Sequence, residues 1–411
     1  MRRSILIVGM LATRMLAQNT FTWQQIKEQF EATNPTLRAG RIGIDEAKTQ
    51  EITAFLRPNP DFNSSLDQIQ PFNGNPYRPF GFALPLFSAN YLHERQHKRE
   101  LRLESARKAT GIAVSQLADQ ERNLLFNLRN GFVQALQAKA ILALARENLA
   151  YYDRVLGVNR DRLKAGDIAQ VDYDRLELQR VQYESDIQTA ETNVRTAKIQ
   201  LLMLLNSRTP VEQFDITGRL DFSETRLTLP ELRQMAAANR PDLQAAVEAV
   251  DKAKTDYRLA IANGSTDPTF GVDVGRNPPI PAYIGFSVSI PIRLFDRNQG
   301  EKARTRLDIN RNHRLQEATQ AQVYSDVDSA WAMLNSNREL LRPYKAKYLD
   351  LAAKVRETVS FAYQHGGSSL LEFLNAQNDY RTVQTNYLNL VGAYLNAASQ
   401  LNLAVGQEVI P

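Results

Sequence analysis

The stretch that decides the fold is Phe361 to Gly406, FAYQHGGSSLLEFLNAQNDYRTVQTNYLNLVGAYLNAASQLNLAVG. Its Gly366-Gly367 pair marks a sharp turn, and from Leu370 to Val405 the only glycine is Gly392 and there is no proline. Phe373, Tyr380, Tyr387, Tyr394 and Leu401 are seven apart, as are Ala376, Val383, Leu390, Ala397 and Ala404. Two interleaved series of period seven predict a helix over 370–405 whose seam faces a partner along its whole length, as in a coiled coil. The tyrosines of the first series are read as helix-packing core.

The same design stands 200 positions earlier. Tyr173, Arg180, Ile187, Val194 and Leu201 form one series and Leu176, Tyr183, Ala190, Ala197 and Leu204 the other, with Arg180 alone breaking the pattern. Gly166 matches Gly366, and Asp172 matches Glu372. At an offset of 206, Asp45, Ala47, Lys48 and Thr49 recur as Asp251, Ala253, Lys254 and Thr255, and Phe82–Leu86 recurs as Val288–Ile292. The chain therefore reads as one supersecondary unit used twice, 18–227 and 228–411.

Each copy is expected to hold a helix, two strands, a long helix and a return helix. In the first copy the helix covers about Thr22 to Leu56, the strands 61–68 and 77–87, the long helix 88–164 and the return helix 171–205. In the second the helix covers Leu229 to Ala262, interrupted near Pro241, the strands 269–275 and 282–294, the long helix 299–364 with one proline at Pro343, and the return helix 370–405. Phe80, Phe82, Leu84 and Leu86 alternate in one strand, and Ala282, Ile284, Phe286, Val288, Ile290, Ile292 and Leu294 alternate in another. Such alternation gives one apolar and one polar face.

Length constrains the arrangement. A helix of roughly 75 residues extends about 115 Å at 1.5 Å per residue. Only two half-length helices stacked end to end can cover it, so an elongated rod with four helices in cross-section is expected. Four strands cannot close a barrel, and an open sheet edge is not tolerated in lipid. If the strands span a membrane, several chains must contribute, and three supply twelve strands. Phe62, Tyr77, Phe80, Phe87, Phe270, Tyr283 and Phe295 could form interfacial girdles. A small sandwich capping a soluble rod is the alternative reading of the same pattern.

Composition excludes other classes. The 411 residues are 43% hydrophobic, the mean hydropathy is −0.40, and no window offers the roughly 20 apolar residues of a spanning helix. Cysteine is absent, which removes disulfides, thiolate metal sites and any lipidated N-terminal cysteine. Met1 to Ala17 is expected to be a secretory signal, with Arg2 and Arg3 ahead of the apolar run Ile5 to Ala12. Removing its three arginines lowers the formal charge from +5 to +2. No basic block argues for nucleic acid, and no motif calls for a cofactor. His93-Glu-Arg-Gln-His97 fits a zinc-protease pattern and is expected on the first turns of the long helix, both histidines on one face. No third ligand stands at a useful spacing, so charged helix surface is the better reading and no enzyme is expected.

RLKAGDIAQVDYDRLELQRVQYE in the first copy, AYQHGGSSLLEFLNAQNDYRTVQTNYLNLVGAYLNAASQL in the second, and FALPLF and FSVSIPIRLF before the long helices resemble the TolC-type outer-membrane efflux factor family. The resemblance covers nearly the whole chain after the signal. It implies a mainly helical protein with a small β part, assembled as a homotrimer. Twelve strands form a barrel in outer-membrane lipid, and twelve helices form an α-barrel across the periplasm. It implies a bacterial outer-membrane exit duct with a periplasmic extension. The partners it implies are a periplasmic adaptor and an inner-membrane, proton-driven pump. An elongated periplasmic coiled-coil protein that never enters lipid is the alternative.

The resemblance also places a gate at the periplasmic tip. The turns are Gly166-Asp167 and Gly366-Gly367, and the gate or selectivity candidates are Glu372, Asn375, Tyr363 and Asp172. Asn375 stands where a second gate aspartate is found in the family, and Ser368 where the family can carry an arginine, so the usual salt-bridge latch at the turn is not expected. Three copies of Glu372 around a narrow axis concentrate negative charge, favouring cations over anions.

Overall fold

The computed structural model describes residues 19–72, 76–222, 227–277 and 279–410; the expected signal at 1–17 lies outside them. Proline and asparagine set the first boundary. Thr22 caps α1 (Trp23–Thr33), accepting from the Gln25 amide while the Gln25 side chain accepts from the Thr22 amide. The single helix expected to Leu56 then breaks: Asn34 Oδ1 accepts from the amides of Thr36 and Leu37, opening α2 (Pro35–Phe55) with proline in the first turn. The interruption expected near Pro241 falls between α5 (Leu229–Asn239) and α6 (Pro241–Asn263), with proline again in the first turn but no side-chain cap from Arg240.

The strands are β2 (Asp61–Asp67), β3 (Leu84–Leu92), β5 (Thr269–Asn277) and β6 (Ile280–Ser289), joined as one antiparallel sheet in the order β2-β3-β5-β6. Two boundaries differ from expectation. The strand expected at 77–87 begins only at Leu84, because Pro79 and Gly81 lie in turns, and it runs on to Leu92. The long helix expected from 88 therefore starts at Lys98, as α3 (Lys98–Ala165). The strand expected at 282–294 is shifted to 280–289; Pro291 has no amide to donate and Ile290, Ile292 and Leu294 fall outside it.

Return helices α4 (Gln170–Leu204) and α9 (Leu370–Val405) follow the turns. The helix expected over 299–364 is α7 (Gln299–Pro343), a π-helical turn at Tyr344–Tyr348, and α8 (Leu349–Gln364). Pro343 cannot donate to the carbonyl one turn back, and the widened turn absorbs the mismatch. A pair of three-residue parallel strands, β1 (Asn19–Phe21) and β4 (Phe214–Ile216), is new; three residues are too few to show a period.

The chain forms two compact units. One combines residues to Arg38, Gln120–Asn239 and Tyr324 onward; the other combines Ala39–Asp119 with Arg240–Val323. Each unit thus draws on both sequence copies. In the first unit the seams bury Tyr173, Leu176, Tyr183, Ala190, Ala197 and Leu201 on α4, and Phe373, Ala376, Tyr380, Tyr394, Ala397, Leu401 and Ala404 on α9. Tyr387 is only half-buried. Asp215 of β4 accepts from Lys139 of α3 and Lys198 of α4, at 2.8 and 2.9 Å, fastening the short strand pair to both helices. Burial pushes the Asp215 carboxyl up, and the two ammonium groups more than reverse this, holding it below the usual aspartate range.

Candidate functional site

Two regions carry functional character, one in each unit. In the sheet, register sorts the side chains. Phe62 pairs with Ala89, Ala89 with Val272 and Val272 with Phe286; Ser64, Phe87, Val274 and Ile284 form the next row, Ser64 being its one polar member. Because these residues alternate with their neighbours, all share one face. That face is apolar and exposed: Phe286 is 84% and Phe62 72% accessible. Phe62 and Phe87 stack on it with centroids 6.4 Å apart. The opposite face carries Asn63, Ser88, Asp273 and Gly285 in one row, and Asp61, Asn90, Gly271 and Ser287 in the next.

Leu84 and Leu86, expected on the apolar side with Phe80 and Phe82, fall on the polar face, and Phe87, Ala89 and Tyr91 take their place. Among the described residues no strand pairs with the outer side of β2 or β6. A sheet with one exposed apolar face and two open edges is matched to a lipid boundary and to further strands.

The second region is the pair of helical turns. Gly166 and Gly366 adopt φ of +79° and +77°, where a Cβ is strained. At the first turn the Gly166 amide donates to the Leu163 carbonyl at 3.0 Å and the Asp167 amide to Arg162 at 2.9 Å. At the second the Gly366 amide donates to Tyr363 at 3.2 Å and the Gly367 amide to Ala362 at 2.8 Å. Both are Schellman closures built from equivalent positions.

Tyr152, Val155 and Leu156 of α3 pack with Tyr173, Leu176 and Tyr183 of α4, Tyr363 of α8 and Phe373 of α9. Two aromatic stacks run through this core, Tyr152–Tyr183 at 4.6 Å and Tyr363–Phe373 at 4.9 Å. Burial raises the Tyr152 and Tyr363 hydroxyl pKa values. Tyr363 is only 6% accessible. It is placed inside the packing, its carbonyl accepting from Arg162 Nη1 at 3.2 Å, and not at the surface.

Glu372 and Asn375, three apart on α9, are both exposed. Glu372 accepts from the Ser368 hydroxyl at 2.7 Å and the Ser369 amide at 2.9 Å. Those two hydrogen bonds hold its carboxyl below the usual glutamate range, so it is ionised at neutral pH. The first turn has no such box: Ala169 stands at the cap, and Asp172 lies 3.8 Å from Arg175. Asp167 is exposed at the turn. Arg162 was not distinguishable in sequence from the other basic residues of a solvated helix end.

His93–His97 is not on a helix. His93 pairs with Pro268 through its backbone, Gln96 and His97 have positive φ, and α3 begins at Lys98. Glu94 is held by Arg102. The helical spacing of the zinc-protease motif is absent, and no group of three or more potential ligands occurs among the described residues.

Residues 232–407 match the family of outer membrane efflux proteins. The cobalt-zinc-cadmium resistance protein CzcC of Cupriavidus metallidurans is 23% identical over 383 residues, 91% of this chain and 87% of that protein. The outer membrane efflux protein BepC of Brucella suis is 25% identical over 71% of this chain and 67% of its own. The family match thus lies within the second sequence copy, and the likeness to CzcC extends over nearly the whole chain. The chain is an outer-membrane protein. The fold agrees: CusC superposes with a TM-score of 0.76 at 18% identity, covering 94% of this chain and 92% of CusC. The open state of the Neisseria gonorrhoeae MtrE channel gives 0.76 at 17%, covering 94% and 89%. No described helix is long and apolar enough to cross a membrane.

Proposed function

We propose that three copies of this chain form the outer-membrane exit duct of a tripartite efflux system. The duct receives cargo from a proton-driven inner-membrane pump through a periplasmic adaptor. The observation that carries the reading is the four-stranded sheet, apolar and exposed on one face, polar on the other, and open at β2 and β6. Pairing β6 of one copy with β2 of the next continues the antiparallel order, and twelve strands close without an edge in lipid. A periplasmic rod that never enters lipid leaves Phe62, Phe286 and their row facing water, so the duct is favoured.

The helical turns are the periplasmic tip in this reading. Glu372, already ionised and exposed, supplies three carboxylates around the axis and favours cations; Asn375 adds polar lining without charge. Asp172 and Asp167 lie on the other turn as further acidic positions. Tyr363 acts from inside the tip, as packing that positions α9, and Gly166, Gly366 and Gly367 set the turns. Single-channel conductance in planar bilayers tests this. The native chain gives discrete cation-preferring openings, and Glu372→Ala lowers the preference. Openings unchanged by the substitution remove Glu372 from selectivity, and failure of folded protein to insert removes the duct.

A further inference from the structure

The apolar face of the sheet is not uniform. Ala89 is the smallest side chain of its row, between Phe62 of β2 and Val272 of β5, with Phe286 of β6 beyond. The next row toward the helices is Tyr91, Phe270 and Val288. Among these larger side chains lies an open groove of about 340 Å³, lined chiefly by Ala89, Tyr91, Phe270, Val272, Phe286 and Val288.

The strand-to-helix turn beside the groove carries charge. His93 continues the pairing of β3 with β5, its amide donating to the Pro268 carbonyl at 2.9 Å. Its ring meets Phe270 edge-on, with centroids 6.4 Å apart, so His93 stands on the apolar side, one step past Tyr91. Glu94 is turned the other way, accepting from Arg102 Nη2 of α3 at 2.9 Å, and by alternation Arg95 returns to the His93 side. Both His93 and Arg95 are exposed.

Arg95 is fixed through its backbone. Its amide donates to Asp267 Oδ1 at 2.9 Å, and Asp267 Oδ2 accepts from the buried ammonium of Lys98. Gln96 and His97 follow in the left-handed region, at φ +59° and +54°, a backbone that residues other than glycine keep only where their surroundings hold it. Glu94 and Asp267, the carboxylates that flank Arg95, are thus engaged by Arg102 and Lys98. The Arg95 guanidinium itself makes no ion pair among the described residues.

Depth agrees with this division. Arg95 lies between β3 and α3, at the end of the sheet from which the long helices leave. Ala89, beside the middle of β3, is six residues before it, about 20 Å along an extended chain. At the roughly 40° tilt of barrel strands that span gives about 15 Å of depth, half of a hydrocarbon core of about 30 Å. With Ala89 at the bilayer middle, Arg95 reaches the headgroups of the periplasmic leaflet.

We propose that this groove binds one phospholipid of the periplasmic leaflet with a net anionic headgroup. An acyl chain lies in the groove over Ala89, and the phosphate meets the Arg95 guanidinium and a ring N–H of His93. The inference rests on the exit-duct reading and gives the His93–His97 stretch a role that its spacing for zinc does not.

Native mass spectrometry of the full chain, released from detergent with equimolar phosphatidylglycerol and phosphatidylcholine added, tests the site. One phosphatidylglycerol per chain is retained in preference to phosphatidylcholine. Arg95→Ala lowers that preference on the order of tenfold, whereas Arg95→Lys, which keeps the charge, preserves most of it. Ala89→Trp fills the groove and weakens retention of both lipids. Arg276→Ala, which removes an exposed arginine at the opposite end of β5, changes neither. Arg95→Gln serves in place of Arg95→Ala should circular dichroism show the latter misfolded. Equal retention of the two lipids by native protein, equal losses from Arg95→Ala and Arg276→Ala, or retention untouched by Ala89→Trp overturns the site. Conductance of the same samples in planar bilayers separates the two readings. Conducting native protein without lipid preference overturns the lipid site alone, and folded native protein that fails to insert overturns the duct and the site together.

Discussion

At the scale of single residues the two glycines of the second turn are not equivalent. Gly366 sits at φ +77°, while Gly367 has no positive φ and a Cβ there meets Ala362 at ordinary contact distances, its carbonyl oxygen nearest at 3.6 Å. Gly366→Ala is expected to cost about 1–2 kcal/mol from the left-handed backbone alone. Gly367→Ala is expected to be neutral or to stabilise by a few tenths, since it restricts the unfolded chain. Denaturant midpoints of the two variants check this, and equal losses refute it. Asp167 already occupies the position equivalent to Gly367, in keeping with that difference. The sequence displayed the Gly-Gly pair; only backbone angles separate its members.

Asp215 gives a second residue-scale expectation. Its folded pKa lies below that of the unfolded chain, so its stabilisation is present above the ordinary aspartate pKa and is lost as pH falls through the depressed value. Thermal midpoints of native protein should therefore drop on acidification through this window. Asp215→Asn should start lower at neutral pH and lose less on acidification. Parallel pH profiles for the two proteins are the outcome that contradicts the assignment. Nothing in the sequence singled out Asp215, because Lys139 and Lys198 are remote in the chain and meet it only through packing.

At the scale of elements, register decides what the strands do. Period-two patterning identified the apolar row of β6 correctly at Ile284, Phe286 and Val288, yet it misplaced β3. Proline and glycine delayed that strand to Leu84, and pairing with β2 and β5 then chose Phe87, Ala89 and Tyr91 for the apolar side. A one-residue change in alternation exchanges the two faces of a strand. Phe286→Arg, on the apolar face, should weaken folding into lipid vesicles by about 2–4 kcal/mol. Asn63→Arg, on the polar face, should change it little. Equal effects from both substitutions argue that this sheet does not border lipid. Heptad patterning proved the sturdier signal: α9 spans Leu370–Val405, as its seam predicts. Arg180, the residue that breaks the first seam, turns toward Asp153 of α3 at 2.7 Å, an ion pair in place of an apolar contact.

At the scale of the whole molecule, the expected assembly is three chains of 46.5 kDa before removal of any leader. Light scattering on detergent-solubilised protein, corrected for detergent, should give about three times the chain mass. A single-chain mass under conditions that preserve helicity contradicts closure of the sheet by neighbouring copies. The sequence by itself determined the helical seams, the glycine turns and the two-faced character of β6, because each is a local period or a local backbone demand. Tertiary structure alone decided the compact units, each drawn from both copies, the register of β3 and the burial of Tyr363. Those outcomes depend on which distant surfaces come into contact, and a one-dimensional pattern records a residue's own periodicity but not its partner.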